Sequence, residues 1–443
     1  MVQDAVLHWR ANGHRVALKR CKVEMEPIDA FAWLDARPEA EKVFWAGRSE
    51  SDFVAGSGVA YRIYSEASVP PDRAFQEVLA LLETSPDARF LGGLRFDAAA
   101  PDELWSAFGQ YQFFLPRFEV VQENGRMFLI CNLVLPRDQE ALPELLESLR
   151  NMYFPTQLST VAFGGLTRRT NEPKVREWRQ KILWLLDMFA KGELHKVVLA
   201  RKASFTFAES LNPILLLKLL KAQKPDCFHF LFQPQEDVCF ISATPERLYS
   251  RSGATIFSEA VAGTRPRGKT PQEDADFGRA LLSSEKDLRE HAYVTQSIYA
   301  ALEPCCEALE ADEAPSLMQL THRSHLYARV SGTLQSDICD ADLLRMLHPT
   351  PAVGGHPSRE AIAAISALEP FDRGWYAGPI GWIGADAAEF AVGIRSGVLE
   401  RNTLSLFSGA GILTGSTPEG EWQEIEQKIC DFLEVLGVDP DDH

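Results

Sequence analysis

Four carboxylates in two pairs are the residues of this sequence best placed to do chemistry. Glu421 and Glu424 stand three apart near the C-terminal end, and Asp287 and Glu290 stand three apart in Lys286-Asp-Leu-Arg-Glu-His291. On a helix that spacing puts both members of a pair on one face. A hard cation such as Mg2+ takes one or two protein carboxylates and fills its other positions with water and ligand oxygens. Two acidic helices facing each other would therefore make a cation site. Either helix alone has a plainer reading as a solvated face, relieved in the second case by Lys286 and Arg289. Both together, with the glycine loop Gly409-Ala410-Gly411 just ahead of one of them, point to a shared metal. Gly409 and Gly411 would let backbone approach an anionic ligand closely. Arg395 interrupts an apolar alternation, and a buried Arg needs an anion, from the protein or from a substrate.

The elements that must position these groups are read from periodicity and punctuation. Residues 1–153 mix short alternating strands (42–46, 90–96) with amphipathic helices (71–83, 138–152) and a hairpin turned at Asn124-Gly125. No catalytic chemistry is visible there, so this part is expected to be an α/β scaffold packed on the remainder. Residues 154–171, rich in Thr, Ser and Gly, form a connecting segment. Asn171 as cap and Pro173 in the first turn then open a helix over 175–191, at the start of a catalytic domain spanning 172–437 with a tail at 438–443. Strands follow at 195–207, 227–232 and 238–243, the last stopped by Pro245 beside Glu246. Three strands, at 375–383, 390–398 and 403–407, close the chain. Between them and the acidic helix lies the loop Leu347-His-Pro-Thr-Pro-Ala-Val-Gly-Gly355, where His348 and His356 lack the companions a zinc site requires.

Other function classes are disfavoured. Gly263-Thr-Arg-Pro-Arg-Gly268-Lys269-Thr270 matches a phosphate-binding loop literally, yet Pro271 and Pro266 spoil the helix start and the free amides such a loop needs, so a turn after a strand at 254–257 is the better account. Lys plus Arg total 45 against 62 Asp plus Glu, a net charge of −17, which repels nucleic acid and anionic membranes. The eight cysteines are scattered, no apolar run approaches membrane-spanning length, and the first residues lack a signal-peptide layout. A cytoplasmic protein with reduced thiols is expected.

Several separate motifs make the chain resemble the chorismate-utilising enzymes, and within them the isochorismate synthases of menaquinone and siderophore pathways. They are Lys196-Val-Val-Leu-Ala-Arg201, Ala243-Thr-Pro-Glu-Arg-Leu248, Ala262-Gly-Thr-Arg-Pro-Arg-Gly268, Lys286-Asp-Leu-Arg-Glu-His291, the 347–355 loop, Trp375-Tyr-Ala-Gly-Pro-Ile-Gly-Trp382, and Gly409-Ala-Gly411 with Glu421-Trp-Gln-Glu424. The resemblance covers about residues 170–435. It implies an α+β fold, with two large mainly antiparallel β-sheets packed together and flanked by helices, and a weakly similar N-terminal part woven in.

Carried across residue by residue, the resemblance makes Glu290 and Glu424 ligands of Mg2+, with Asp287 and Glu421 behind them, and the ion bridging to the ring carboxylate of chorismate. Arg395 and Tyr376 would clamp the enolpyruvyl carboxylate near Gly409, Ala410 and Gly411. Gly263 and Thr264 belong to the ring-carboxylate side, and His325 lines the pocket. Lys196 resembles the general base that activates water and Glu246 the general acid that protonates the departing C4 hydroxyl; both roles need a water-poor pocket. Lysine at 196 speaks for water over ammonia, and no glutaminase partner is expected. The implied protein is a monomeric isochorismate synthase acting on a small molecule. Alternatives are a salicylate synthase, which goes on to eliminate pyruvate, and a catalytically silent chorismate-binding protein. Ser408 departs from the family pattern, where Ala is usual, and its hydroxyl is expected either near the substrate or in the core.

Overall fold

The computed structural model describes residues 1–3, 16–48, 51–66, 71–159, 163–320 and 323–439. Runs rich in Val, Phe and Leu form twenty strands among them, and all their pairings are antiparallel. Two arms diverge from the strand Tyr111–Glu123. One passes through Phe53–Ser65, Lys42–Ala46, Phe228–Gln235, Val238–Thr244, Ser396–Glu400 and Thr403–Leu413 to Lys196–Phe207. The other passes through Phe90–Leu94, Pro379–Ile383, Ala387–Val392, Arg247–Ser252 and Thr255–Pro266 to Arg323–Leu334. Two sheet layers result, in the α+β architecture the resemblance implied, and pairing through the N-terminal strands makes them continuous.

Burial explains the layering. Along Lys42–Ala46, Val43 and Trp45 enter a core that also holds Phe230 and Phe240 of the first arm and Tyr249 and Phe390 of the second. Phe44, pointing the other way, joins a second core in which the first arm packs against the helices Pro213–Gln223 and Pro418–Leu436. The N-terminal part is thus hydrogen-bonded into both layers, at Lys42–Ala46 and at Phe90–Leu94. Among the described residues no helix is long and apolar enough to cross a membrane, and the eight cysteines are unbridged.

Local readings fared unevenly. The hairpin turns at Asn124 (φ 52°) and Gly125 (φ 75°) as expected, both in the left-handed region that a two-residue turn requires. Asn171 is not a cap. It lies in the strand Leu166–Glu172, which borrows the edge of Lys196–Phe207, and the helix Val175–Ala190 is opened by Lys174, whose N–H donates to Glu177 at 3.0 Å. The Gly263–Thr270 stretch is no phosphate loop, nor is it all turn: the strand runs on to Pro266 with a bulge at Gly263. Beyond it the Gly268 N–H donates to Asp274 at 2.9 Å and Thr270 caps the helix Pro271–Leu282. The expected strand over 390–398 is broken at Gly393–Arg395 into Ala387–Val392 and Ser396–Glu400.

Candidate active site

A cavity of about 230 Å3 opens where the far ends of the two arms meet the helices Glu285–Leu302 and Pro418–Leu436. Lys196 opens its strand, and alternation puts it on the same face as Val198, which lines the cavity. The side chain is 1% exposed and its Nζ lies 2.8 Å from Glu290 Oε1. Opposite it, the glycines expected to form a loop are instead strand, Thr403–Leu413, in register with Gly409 against Ala200 and Gly411 against Val198. Neither glycine has positive φ, so conformational freedom is not why they are there. Space is the reason: a Cβ at 409 would lie 2.8 Å from the Tyr376 hydroxyl, and one at 411 would lie 3.0 Å from Glu290 Oε1 and 3.2 Å from Lys196 Cε. Ala410 is a correction. Alternation turns its methyl into the core, and it does not line the cavity. Ser408, opposite Arg201, does line the cavity, and its buried hydroxyl has no partner among the described residues.

Glu246 follows Pro245 in the break between Val238–Thr244 and Arg247–Ser252, and its carbonyl accepts from Val392 N at 3.0 Å. Burial pushes its carboxyl up to about 7; the charge of Lys196 works against that rise and the charge of Glu259 with it. Glu259 is itself neutralised from two sides, by Arg247 at 2.8 Å and by Arg48 at 2.6 Å. Arg48 also donates to Pro245 O at 2.9 Å, so a residue of the N-terminal part braces the Glu246 turn. Sequence reasoning missed Arg48 and Glu259, and no local signal could have revealed a contact 211 residues apart in sequence.

The two acidic helices do face one cavity, with Asp287, Glu290, Glu421 and Glu424 all on its wall. Ser284 caps the first helix and Thr417 the second. Asp287 pairs with Arg265 at 2.6 Å and Glu424 with Lys428 at 2.6 Å. Lys428, which also donates to Gly409 O at 2.9 Å, escaped the sequence reading although its spacing of four from Glu424 was visible. Burial, with the charge of Glu424 beside it, raises the carboxyl of Glu421. Burial acts in the same sense on Glu424, but the charges of Lys428, Lys286 and Arg395 together outweigh it and hold that carboxyl below its usual value. Among the described residues no three His, Cys, Asp or Glu side chains converge into a ready-made metal cage. The donor set nevertheless fits a hard cation: it is all carboxylate oxygen, comes from two helices, and leaves room for the water and ligand oxygens such an ion keeps.

The cationic wall is built by the broken strand. Arg395 sits in the left-handed region (φ 48°), which turns its side chain out of the ladder toward the cavity. Its Nη1 donates to Lys428 O at 3.1 Å and it makes no salt bridge among the described residues; burial, then the nearby charge of Arg323, pushes it down to about 10. Tyr376 is buried, stacks on Phe407 at 5.3 Å, and has its phenol raised by burial. His325 Nδ1 lies 3.2 Å from Gly263 O and 3.0 Å from Thr264 Oγ1, and a carbonyl there requires Nδ1 to carry the proton. Burial and the charge of Arg395 lower this imidazole to about 4, so it is neutral at pH 7. Gly263, at φ 68°, forms the bulge that carries Thr264 to the wall.

The chorismate binding enzyme family matches over residues 4–437. A chloroplastic isochorismate synthase of Catharanthus roseus is 34% identical over 87% of this chain and 68% of its own. The salicylate biosynthesis isochorismate synthase of Pseudomonas aeruginosa is 31% identical over 97% of this chain and 93% of its own. Among solved structures, MenF, the menaquinone-specific isochorismate synthase of Escherichia coli, superposes with a TM-score of 0.86 at 27% identity, covering 98% of both chains.

Proposed function

Because this chain belongs to the chorismate-binding enzyme family, we propose that it is an isochorismate synthase, adding water to C2 of chorismate while the C4 hydroxyl departs, in supply of menaquinone or siderophore biosynthesis. The observation that carries this reading is a buried carboxyl on the cavity wall, Glu246, with the buried Lys196 just behind that wall, in contact with Glu290 and close enough for its charge to act on Glu246. Lys196 offers an amine on one strand end, and Glu246, pushed up to about 7, keeps a proton to give near neutral pH. In this proposal Lys196 takes the proton from the attacking water and Glu246 donates to the leaving hydroxyl.

The remaining residues bind and orient. Arg395 and Tyr376 hold the enolpyruvyl carboxylate; Arg395 makes no salt bridge among the described residues, which leaves its guanidinium open to that ligand. Thr264, with neutral His325 behind it, faces the ring carboxylate together with the Gly263 bulge. Gly409 and Gly411 keep the floor free of side chains. Glu290 and Glu424 would hold Mg2+, with Asp287 and Glu421 in support; when bound, that ion supplies charge neutralisation for a dianionic substrate. Since Lys196 and Glu290 are paired, Glu290 must turn away before the amine can meet water.

The test is incubation of the purified protein with chorismate and Mg2+, with the products separated. Isochorismate should form, and Lys196→Ala should lower kcat by about 10²–10⁴-fold. Undiminished turnover in that variant would falsify the assignment of the base. Accumulation of salicylate and pyruvate without a second enzyme would replace the synthase reading by the lyase one.

A further inference from the structure

The strand that carries Lys196 has a gap along one edge. Strand Leu166–Glu172 covers it from Lys202 to Phe207, and Gly355–His356 covers Lys196 and Val197. Between them no strand among the described residues pairs with that edge, although the Val198 N–H finds Gly354 O at 2.9 Å. The gap is closed by two side chains. Glu369 Oε1 accepts from Ala200 N at 2.7 Å, and Arg373 Nη2 donates to Val198 O at 2.7 Å. The two are joined to each other as a bidentate pair, Nε to Oε2 at 2.7 Å and Nη2 to Oε1 at 2.6 Å, with both side chains 3% exposed. They sit four apart at the end of the helix Ser358–Leu368 and just beyond it. Arg373 Nη1 further donates to Val353 O at 2.9 Å, and its carbonyl accepts from Tyr376 N at 2.9 Å.

We propose that Glu369 and Arg373 are positioning residues for catalysis, a charged pair standing in for a missing strand segment that holds the Lys196 strand in place against the 353–356 loop and Tyr376. A backbone donor and acceptor buried in that gap need partners. A water molecule or a neutral side chain could satisfy them, but only the planar fork of Arg, fixed by its own carboxylate, ties three chain segments at defined distances. A displacement of about 1 Å at a catalytic group lowers turnover by about 10²-fold, which is the scale of effect this pair controls. The inference rests on Lys196 being the base, and the experiment keeps the two ideas apart.

Arg373→Lys keeps the charge and loses the fork. It should lower kcat by about 10²-fold and leave KM for chorismate within about threefold of wild type. In a Lys196→Ala background the same change should lower the residual rate by less than about threefold, because a residue acting through Lys196 has nothing left to position. Glu369→Gln retains an acceptor for Ala200 N and should lose about tenfold in kcat while folding normally, which serves if Arg373→Lys does not fold. Leu217→Ala, in the second core away from the cavity, is the control for stability alone and should leave kcat at the wild-type value. The proposal is overturned by wild-type kcat in both pair variants, by a loss confined to KM, or by a full additional loss in the Lys196→Ala background. Failure of the base assignment shows up separately, as turnover retained in Lys196→Ala alone.

Discussion

Glu246 is the residue whose chemistry is most exposed to test. Its carboxyl is pushed up to about 7, above the value in the unfolded chain, so the unfolded form loses its proton first as pH rises. Two consequences share one sign. Stability contributed by the protonated carboxyl is present at low pH and is lost as pH climbs through about 7, and activity that needs a proton donor falls over the same range. The kcat/KM profile should therefore show a descending limb near neutrality. In Glu246→Gln that limb should vanish, with turnover lower by about 10²-fold or more on the acid side of the limb and the difference narrowing above it; a limb that survives the substitution would assign it to another group. Ser408 also stands on the cavity wall with a buried hydroxyl that has no partner among the described residues, so Ser408→Ala should raise KM for chorismate by about threefold to tenfold, the loss of one hydrogen bond; an unchanged KM would leave the hydroxyl no role at the substrate.

At the level of elements, the strand Thr403–Leu413 decides the shape of the floor. Its glycines looked like a loop because Gly is the ordinary punctuation of loops. They are strand because the edge of Lys196–Phe207 supplies hydrogen bonds along the whole length, and they are Gly because Tyr376, Glu290 and Lys196 occupy the space a Cβ would need. Gly409→Ala should displace the Tyr376 hydroxyl and raise KM for chorismate, by about tenfold, with the fold retained by circular dichroism. Gly411→Ala should act on kcat instead, again by about tenfold, because it presses on Glu290 and Lys196. An exchange of these two signatures would overturn the placing of the anion clamp beside Gly409 and of the base beside Gly411. The acidic helices were legible from spacing alone, since a three-residue step is a property of the helix itself. The break at Arg395 was not, because a left-handed Arg is stable only where tertiary contacts enforce it.

Taken whole, the molecule does not divide where its sequence changes character. Catalytic strands Phe228–Gln235 and Pro379–Ile383 are paired by Lys42–Ala46 and Phe90–Leu94, and Arg48 reaches the Glu246 turn. Residues 154–443 expressed alone should leave those apolar edges open and come out aggregated and without chorismate binding, whereas coexpression with residues 1–153 should restore soluble protein. A soluble, active 154–443 fragment would show that the N-terminal part is dispensable. The sequence by itself determined the groups that could act: two carboxylate pairs, an apolar-flanked Arg, and motifs specific enough to name a family and a buried Lys and Glu within it. Those are matters of residue type and local period. Only the tertiary structure decided which groups meet, that Glu290 is paired with Lys196, that Arg48 and Glu259 stand behind Glu246, and that Glu369 and Arg373 close the gap beside the base. Such contacts join segments tens to hundreds of residues apart, and no local preference encodes them; they exist because packed layers bring distant strand ends to one cavity.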